Sequence, residues 1–206
     1  MRRYGDLCID LVATTKEKFS KIKVGKRFIF LDSFSHLSMK LDKLAQNLKD
    51  KSVEHFPLIR EEYPEDDKFE ACLQKLIYPY AWVDDFDKFD HKIPSPDKFF
   101  NDLTGEDIPP GEYERLLGTC KLFNITTVGQ LHDLYLKIDV LILASVFEFY
   151  RDMGMQEYGL DPAYYISAPA FSFDAMLFKT GVELELFDDE SMYTFVERGM
   201  RGWFII

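Results

Sequence analysis

The sequence predicts an α/β or α+β fold, because β-rich runs come first and helical patterns follow. Residues 6–13 (DLCIDLVA) alternate apolar with polar side chains, and residues 27–32 (RFIFLD) form a second β-rich run. These runs are expected to form a hairpin or two strands of one sheet. The longest helical pattern starts at about Thr127 and is expected to run for about seven turns, until Gly154 and Gly159 break it. Strands followed by helices of crossover length favour a layered fold over a helix bundle.

Shorter elements are predicted around these. Residues 23–26 (KVGK) are expected to form a turn. Ser38 can cap a helix whose leucines recur every three or four residues, and this apolar stripe is expected to pack on a sheet. Residues 49–67 are charged and contain two prolines, so a surface loop is predicted there. Further helices are predicted at about residues 67–76, 97–103, 112–123, 169–181 and 188–199.

Composition excludes several classes of protein. The 206 residues are 47% hydrophobic, which excludes a disordered chain. Because 25 Lys and Arg face 36 Asp and Glu, a free-standing electrostatic nucleic-acid binder is disfavoured. The three cysteines are widely spaced and indicate neither a disulfide framework nor a zinc knuckle. With no apolar run of membrane-spanning length and no signal-peptide core, the sequence predicts a soluble protein of the nucleus or cytoplasm that is not secreted.

One pair of residues in the long helical pattern could carry chemistry. Tyr135 and Asp139 are four residues apart, so a helix places the phenol and the carboxylate on one face. A carboxylate is a ligand for Mg²⁺ or Mn²⁺, and a tyrosine hydroxyl can hold an attacking water in line with a phosphodiester. The alternative is an ordinary surface pair on an amphipathic helix. His132 lies on the same flank and is interpreted as a helix-start histidine bonded to backbone rather than as a ligand.

Other polar and aromatic residues have competing interpretations. Asp32 ends an apolar strand, where it could belong to an active site but is expected to cap a turn. The side chains of Tyr78, Tyr80 and Trp82 could stack on unpaired bases or cover a hydrophobic flank. The acidic stretch at residues 84–90 lacks the spacing of a calcium loop and is interpreted as a solvated face.

A series of motifs in a fixed order resembles a known family. The series is FIFLDSF (28–34), SMKLDKL (38–44), KLIYPYAW (75–82), HDLYLKIDVLILA (132–144), YGLDP (158–162), TGVELEL (180–186) and GMRG (199–202). It resembles the protein-primed branch of family B DNA polymerases, which is found in Maverick/Polinton-type elements, related viruses and linear plasmids. The resemblance implies that residues 1–160 are the C-terminal part of an RNase H-like 3′→5′ exonuclease domain. Residues 161–206 would be a linker and the start of the polymerase palm.

The resemblance also assigns roles to particular residues at the exonuclease site. Asp139 matches the metal ligand of the third exonuclease motif, for Mg²⁺ or Mn²⁺, and Tyr135 matches the residue that aligns the water. Lys75 and Tyr80 match a lysine motif that assists at the same site.

A second set of residues matches DNA-binding motifs of the family. Ser33 and Leu37 match a serine-leucine motif that holds single-stranded primer or the terminal priming protein, and Arg201 with Gly202 matches a DNA-binding linker. The implied partners are primer and template DNA, deoxynucleotides and the priming protein.

The resemblance predicts a fragment rather than a complete enzyme. The apolar run at residues 203–206 and the expected positions of the remaining carboxylate motifs, before Met1 and after Ile206, predict an internal piece of a longer polymerase. Because two-metal chemistry needs several converging carboxylates, this chain alone is expected to be inactive. The alternative function is a non-catalytic α/β interaction or structural module, a degenerate remnant of a mobile-element polymerase.

Overall fold

An antiparallel sheet followed by helices makes this an α+β protein. The computed structural model describes residues 2–4, 7–13, 15, 19–100, 105 and 107–199. Within these ranges the strands are β1 (Arg2–Tyr4), β2 (Leu7–Ala13), β3 (Phe19–Val24) and β4 (Phe28–Leu31). They are arranged in the order of the chain, and each pairs antiparallel with the next.

The predicted strands are present, but they do not pair with each other. Strand β3 lies between β2 and β4, so the two predicted runs are two strands of one sheet, as one of the two alternatives predicted, and not a hairpin. Strand β3 was not predicted, because its last two residues, Lys23 and Val24, fell within the predicted turn. The turn itself lies at Gly25–Arg27, where Gly25 has a φ of 61°, a left-handed conformation that glycine adopts readily.

The helical part contains seven α-helices in the described residues. They are α1 (Leu41–Lys51), α2 (Pro57–Glu62), α3 (Asp66–Cys72), α4 (Glu112–Leu122), α5 (Val128–Tyr158), α6 (Ala168–Thr180) and α7 (Glu190–Gly199). Short 3₁₀ helices occur at Ser33–Ser35, Val53–His55, Phe86–Asp90, Pro96–Phe99 and Pro162–Tyr164. None of the helices in these ranges combines the length and the apolar character needed to cross a lipid bilayer.

Helix α5 is the central element of the helical part. It starts at a capping box in which the Thr127 hydroxyl accepts from the Gln130 amide, and it ends at Gly159 in a left-handed conformation. The prediction that Gly154 breaks it is wrong, because Gly154 is buried inside the helix. A Cβ there would lie 2.7 Å from Pro162 Cδ, so the glycine permits a close approach of the chain that returns after the helix.

Helices α1 and α2 pack on α5, and two predictions fail here. The apolar stripe of α1 contacts α5 instead of a sheet, and its N-cap is Lys40 rather than Ser38. The stretch predicted as a surface loop contains α2, where Phe56 and Ile59 are fully buried. Prolines suggested a loop, but Pro57 occupies the first turn of α2, where proline fits a helix.

The sheet leaves one apolar face exposed. Register and alternation place six apolar side chains on that face: Ile9, Leu11, Ile22, Val24, Phe28 and Phe30. Phe28 and Phe30 are 63% and 59% exposed. The described helices therefore build their core around α5 and leave this face of the sheet open.

Candidate functional site

The segment of residues 75–80, after α3, lies against α5 and is held there by its backbone and its apolar side chains. Leu76 and Pro79 are buried. The guanidinium of Arg115 on α4 donates from Nη2 to the Lys75 carbonyl at 3.0 Å. These contacts fix the positions of the Lys75 and Tyr80 side chains relative to α5.

Lys75, Tyr135 and Asp139 meet on one side of α5. Lys75 Nζ lies 3.4 Å from Asp139 Oδ2 and 5.6 Å from the centre of the Tyr135 ring. Tyr135 and Asp139 are one helical turn apart, as their spacing predicts. The Lys75 side chain is 33% exposed and the Asp139 side chain 20% exposed, so the ion pair lies at the edge of the core.

Three tyrosines, Tyr78, Tyr80 and Tyr135, form what we call the tyrosine cluster. The hydroxyls of Tyr80 and Tyr135 share a hydrogen bond. The Tyr78 ring lies 4.9 Å from the Tyr135 ring and 5.2 Å from the Tyr80 ring, centre to centre. Tyr78 and Tyr135 are buried, whereas Tyr80 is 62% exposed. The cluster therefore extends from the core to solvent, and only Tyr80 presents most of its surface.

His132 contacts the tyrosine cluster through its side chain. Its Nδ1 lies 3.0 Å from Tyr78 Oη, and its ring packs against Phe89 with centres 4.9 Å apart. The prediction that His132 bonds to backbone is therefore wrong, because its hydrogen-bond partner is the Tyr78 side chain. His132 orients Tyr78 and is not directed at Asp139 in this arrangement.

The environment of Tyr135 keeps its hydroxyl protonated. Burial raises the pKa of Tyr135 far above its usual value, and the hydrogen bond with Tyr80 and the nearby negative charge of Asp139 act in the same direction. Burial also raises the pKa of Tyr78. Tyr135 can therefore donate or accept a hydrogen bond at physiological pH, but it cannot act as a phenolate base.

Asp139 carries one oxygen with no partner in the described residues. Its Oδ1 is buried and makes no hydrogen bond, which is unusual for a buried carboxylate oxygen. That oxygen is suited to a cation. However, the described residues contain no group of three His, Cys, Asp or Glu side chains that could hold a metal ion. They offer Mg²⁺ or Mn²⁺ a single carboxylate already paired with Lys75, which does not make a two-metal centre.

Ser33 and Leu37 lie in a different part of the fold. The Asp32 carboxylate accepts from the Phe34 amide at 3.0 Å and caps the 3₁₀ helix that begins at Ser33, which confirms the turn-capping interpretation. Leu37 packs against the helical core. Within the described ranges, no contact joins Ser33 or Leu37 to the tyrosine cluster. Arg201 and Gly202 lie outside the described residues.

His36 is a buried residue that the sequence analysis did not identify. It is 5% exposed, and its ring lies edge-on to Phe147 at 5.7 Å and near Tyr150 at 6.1 Å. Burial lowers its pKa below the usual value. A single histidine has no periodic pattern that would predict its burial. The burial of His36 follows from its contacts with Phe147 and Tyr150 on α5.

Comparison with known proteins adds no relative. Neither a protein-family model, nor a curated protein, nor a solved structure matches this chain.

Proposed function

We propose that this chain is a segment of a DNA-directed DNA polymerase of the protein-primed family B, carrying the third motif of its 3′→5′ exonuclease. The observation that supports the proposal is the meeting of Lys75 and Tyr80 with Tyr135 and Asp139. Two motifs far apart in the sequence, which the resemblance assigns to one site, are in contact. Neither motif alone would predict the other's position.

The fold is compatible with this proposal. In it, residues 1–160 belong to an RNase H-like exonuclease domain and residues 161–206 to the linker and the start of the palm. An antiparallel sheet that precedes its helices agrees with the α+β class, which is the coarser part of the first assignment.

Each residue of the site has a distinct task in the proposed reaction. Asp139 supplies negative charge and one free oxygen, and Lys75 holds the carboxylate in place. Tyr135 positions a water by a hydrogen bond, because its protonated hydroxyl is fixed by Tyr80. The exposed ring of Tyr80 offers a surface on which the terminal base of a single strand can stack. Mg²⁺ or Mn²⁺ would neutralise charge on the phosphate, held in the parent by Asp139 together with carboxylates outside the described residues.

One observation favours a second function, a non-catalytic interaction or structural module. The Asp139 carboxylate is already neutralised by Lys75, and the described residues contain no cluster of acids to accompany it. In a degenerate remnant this ion pair would only stabilise the contact between residues 75–80 and α5. Both functions predict that the chain of 206 residues is inactive by itself.

The test that separates the two functions uses the full-length parent polymerase. Asp139→Ala should abolish digestion of a 3′ single-stranded end while nucleotide addition stays near normal, because the two reactions use separate sites. Asp133→Ala is the matched control, because Asp133 is an exposed aspartate on the same helix. Equal loss of both activities in the Asp139 variant, or undiminished digestion, would support the structural module instead.

A further inference from the structure

Strand β4 is an open edge of the sheet in the described part of the chain. It is the last strand in the order, and its only strand partner there is β3. The Asp32 amide donates to the Ser20 carbonyl at 3.4 Å, which sets the alternation of hydrogen bonds along the β3–β4 pair. By that alternation Ile29 and Leu31 direct their backbone N–H and C=O groups away from β3. An edge strand with such unpaired groups is a template for another strand.

The two faces beside this edge differ in chemistry. On one face, Phe28 and Phe30 continue the exposed apolar surface of the sheet. On the other face, Lys21 and Lys23 lie opposite Leu31 and Ile29. Residues 19–31 contain four cationic side chains, Lys21, Lys23, Lys26 and Arg27, and no acidic one. None of these four forms an ion pair with the described residues.

Residues 182–187 (VELELF), which we call the acidic segment, have the complementary pattern. They form neither helix nor paired strand and lie exposed between α6 and α7. Val182, Leu184 and Leu186 are 52%, 52% and 91% exposed, and they alternate with Glu183 and Glu185. Strict alternation of this kind is typical of a strand with one apolar face and one polar face.

We propose that the acidic segment of one copy of this chain pairs as a fifth strand with β4 of a second copy. In one register the apolar side chains of the segment extend the face of Phe28 and Phe30. Its two glutamates then lie on the other face, beside Ile29 and Leu31, where they face Lys21 and Lys23 across β4. A shift by one residue would put the glutamates on the face that carries no cation, so this register is favoured.

The occupant that we propose is a second copy. Among the described residues, neither the outer edge of β4 nor the acidic segment has a strand partner. Each copy carries one edge and one segment, so two copies can exchange segments reciprocally in a two-fold symmetric dimer. Charge favours the same arrangement, because residues 182–199 contain six acidic side chains and one cation, Arg198. These surfaces share no residue with the tyrosine cluster, and the dimer does not depend on the proposed function.

The test measures the mass of the 206-residue chain in solution as a function of concentration, by sedimentation equilibrium at low salt. We expect a reversible monomer–dimer equilibrium. The double substitution Glu183→Lys with Glu185→Lys should weaken the dimer by roughly tenfold or more, because it replaces attraction to the lysines across β4 with repulsion at both contacts. Adding Lys21→Glu and Lys23→Glu should restore the affinity. The glutamate variant lies in an exposed segment, so its result does not depend on refolding of the sheet.

A control variant and a second measurement distinguish strand pairing from a general effect of net charge. Glu54→Lys with Glu61→Lys makes the same change in net charge at exposed positions far along the chain, and should leave the dimer unchanged. Amide hydrogen exchange at residues 28–31 and 182–187 should slow as dimer forms. A monomer at all concentrations, a dimer that ignores the glutamate substitutions, or protection that does not depend on concentration would each overturn the proposal.

Discussion

The ammonium group of Lys75 lies 3.4 Å from the carboxylate of Asp139, and this ion pair connects the segment after α3 to the first half of α5. Both side chains are mostly buried. The contribution of such a pair to stability lies between two limits. An exposed pair contributes little, whereas breaking a buried pair leaves an uncompensated charge in the core.

Loss of Lys75 should therefore destabilise the fold through Asp139. We expect Lys75→Met to lower the free energy of unfolding by about 1–2 kcal/mol, because Asp139 remains charged with an unpartnered Oδ1. The double variant with Asp139→Asn should recover part of the loss. Urea denaturation measures both. Lys68→Met, which breaks an exposed pair with Glu65, should have a much smaller effect. An equal decrease in the free energy of unfolding in the Lys75 and Lys68 variants would show that the Lys75–Asp139 pair stabilises the fold no more than an exposed pair does.

Tyr135→Phe separates catalysis from packing. The ring contacts with Tyr78 remain and only the hydroxyl is removed, so the free energy of unfolding should change by no more than about 1 kcal/mol. If the proposed function holds and the hydroxyl aligns the attacking water, single-turnover digestion by the proposed full-length polymerase should slow by roughly ten- to a thousand-fold. Thermal midpoint and digestion rate should be measured on one preparation. An unchanged rate would leave Tyr135 as a packing residue.

Gly154 should tolerate no side chain. Gly154→Ala places a methyl group 2.7 Å from Pro162 Cδ and 2.8 Å from the Leu160 carbonyl oxygen, so we expect a loss of about 1–3 kcal/mol. Gly118→Ala is the control, because Gly118 is an exposed helical glycine with no atom within 4 Å of an added Cβ. That substitution should stabilise the protein by up to about 1 kcal/mol. Both values follow from chemical denaturation, and similar effects of the two substitutions would contradict the close approach at Gly154.

His36 should make stability depend on pH. Burial holds its pKa below the usual 6.5, so the unfolded chain takes up the proton more readily than the folded chain. Its contribution is therefore fully present above about pH 6.5 and is lost as the pH falls below that value. His36→Phe should flatten the decline in the free energy of unfolding between about pH 7.5 and 5.5. His91→Gln, at an exposed histidine, is the comparison variant and should retain the slope of the unsubstituted protein.

Periodicity predicted much of the fold. The positions of β2, β4, α4 and α6 follow from local patterns, because each presents a regular apolar face or a clear terminating glycine. Strand β3 has the alternation of a strand, but it was not predicted because its last two residues, Lys23 and Val24, fell within the predicted turn. Helix α2 was missed because a proline in the first turn of a helix resembles a proline in a loop.

The candidate site was predictable only in its local part. The spacing of Tyr135 and Asp139 places them together on a helix whatever the tertiary structure. Their contact with Lys75 rested on the family resemblance, since no local rule relates residues so far apart in sequence. The contact of Tyr78 with His132 depends on how the segment of residues 75–80 packs on α5, and the sequence carries no periodic signal for it.

The length of α5 has a mechanical consequence. An uninterrupted helix of 31 residues is a stiff rod about 46 Å long. Tyr135 and Asp139 lie near its beginning, and the interlocked Gly154 and Pro162 lie near its end. A displacement of the chain at Pro162 would be transmitted along α5 to Tyr135 and Asp139, because the helix is continuous between them. Because Pro162 packs against Gly154 of the helix, we expect bending between α5 and the chain that follows to occur after Pro162.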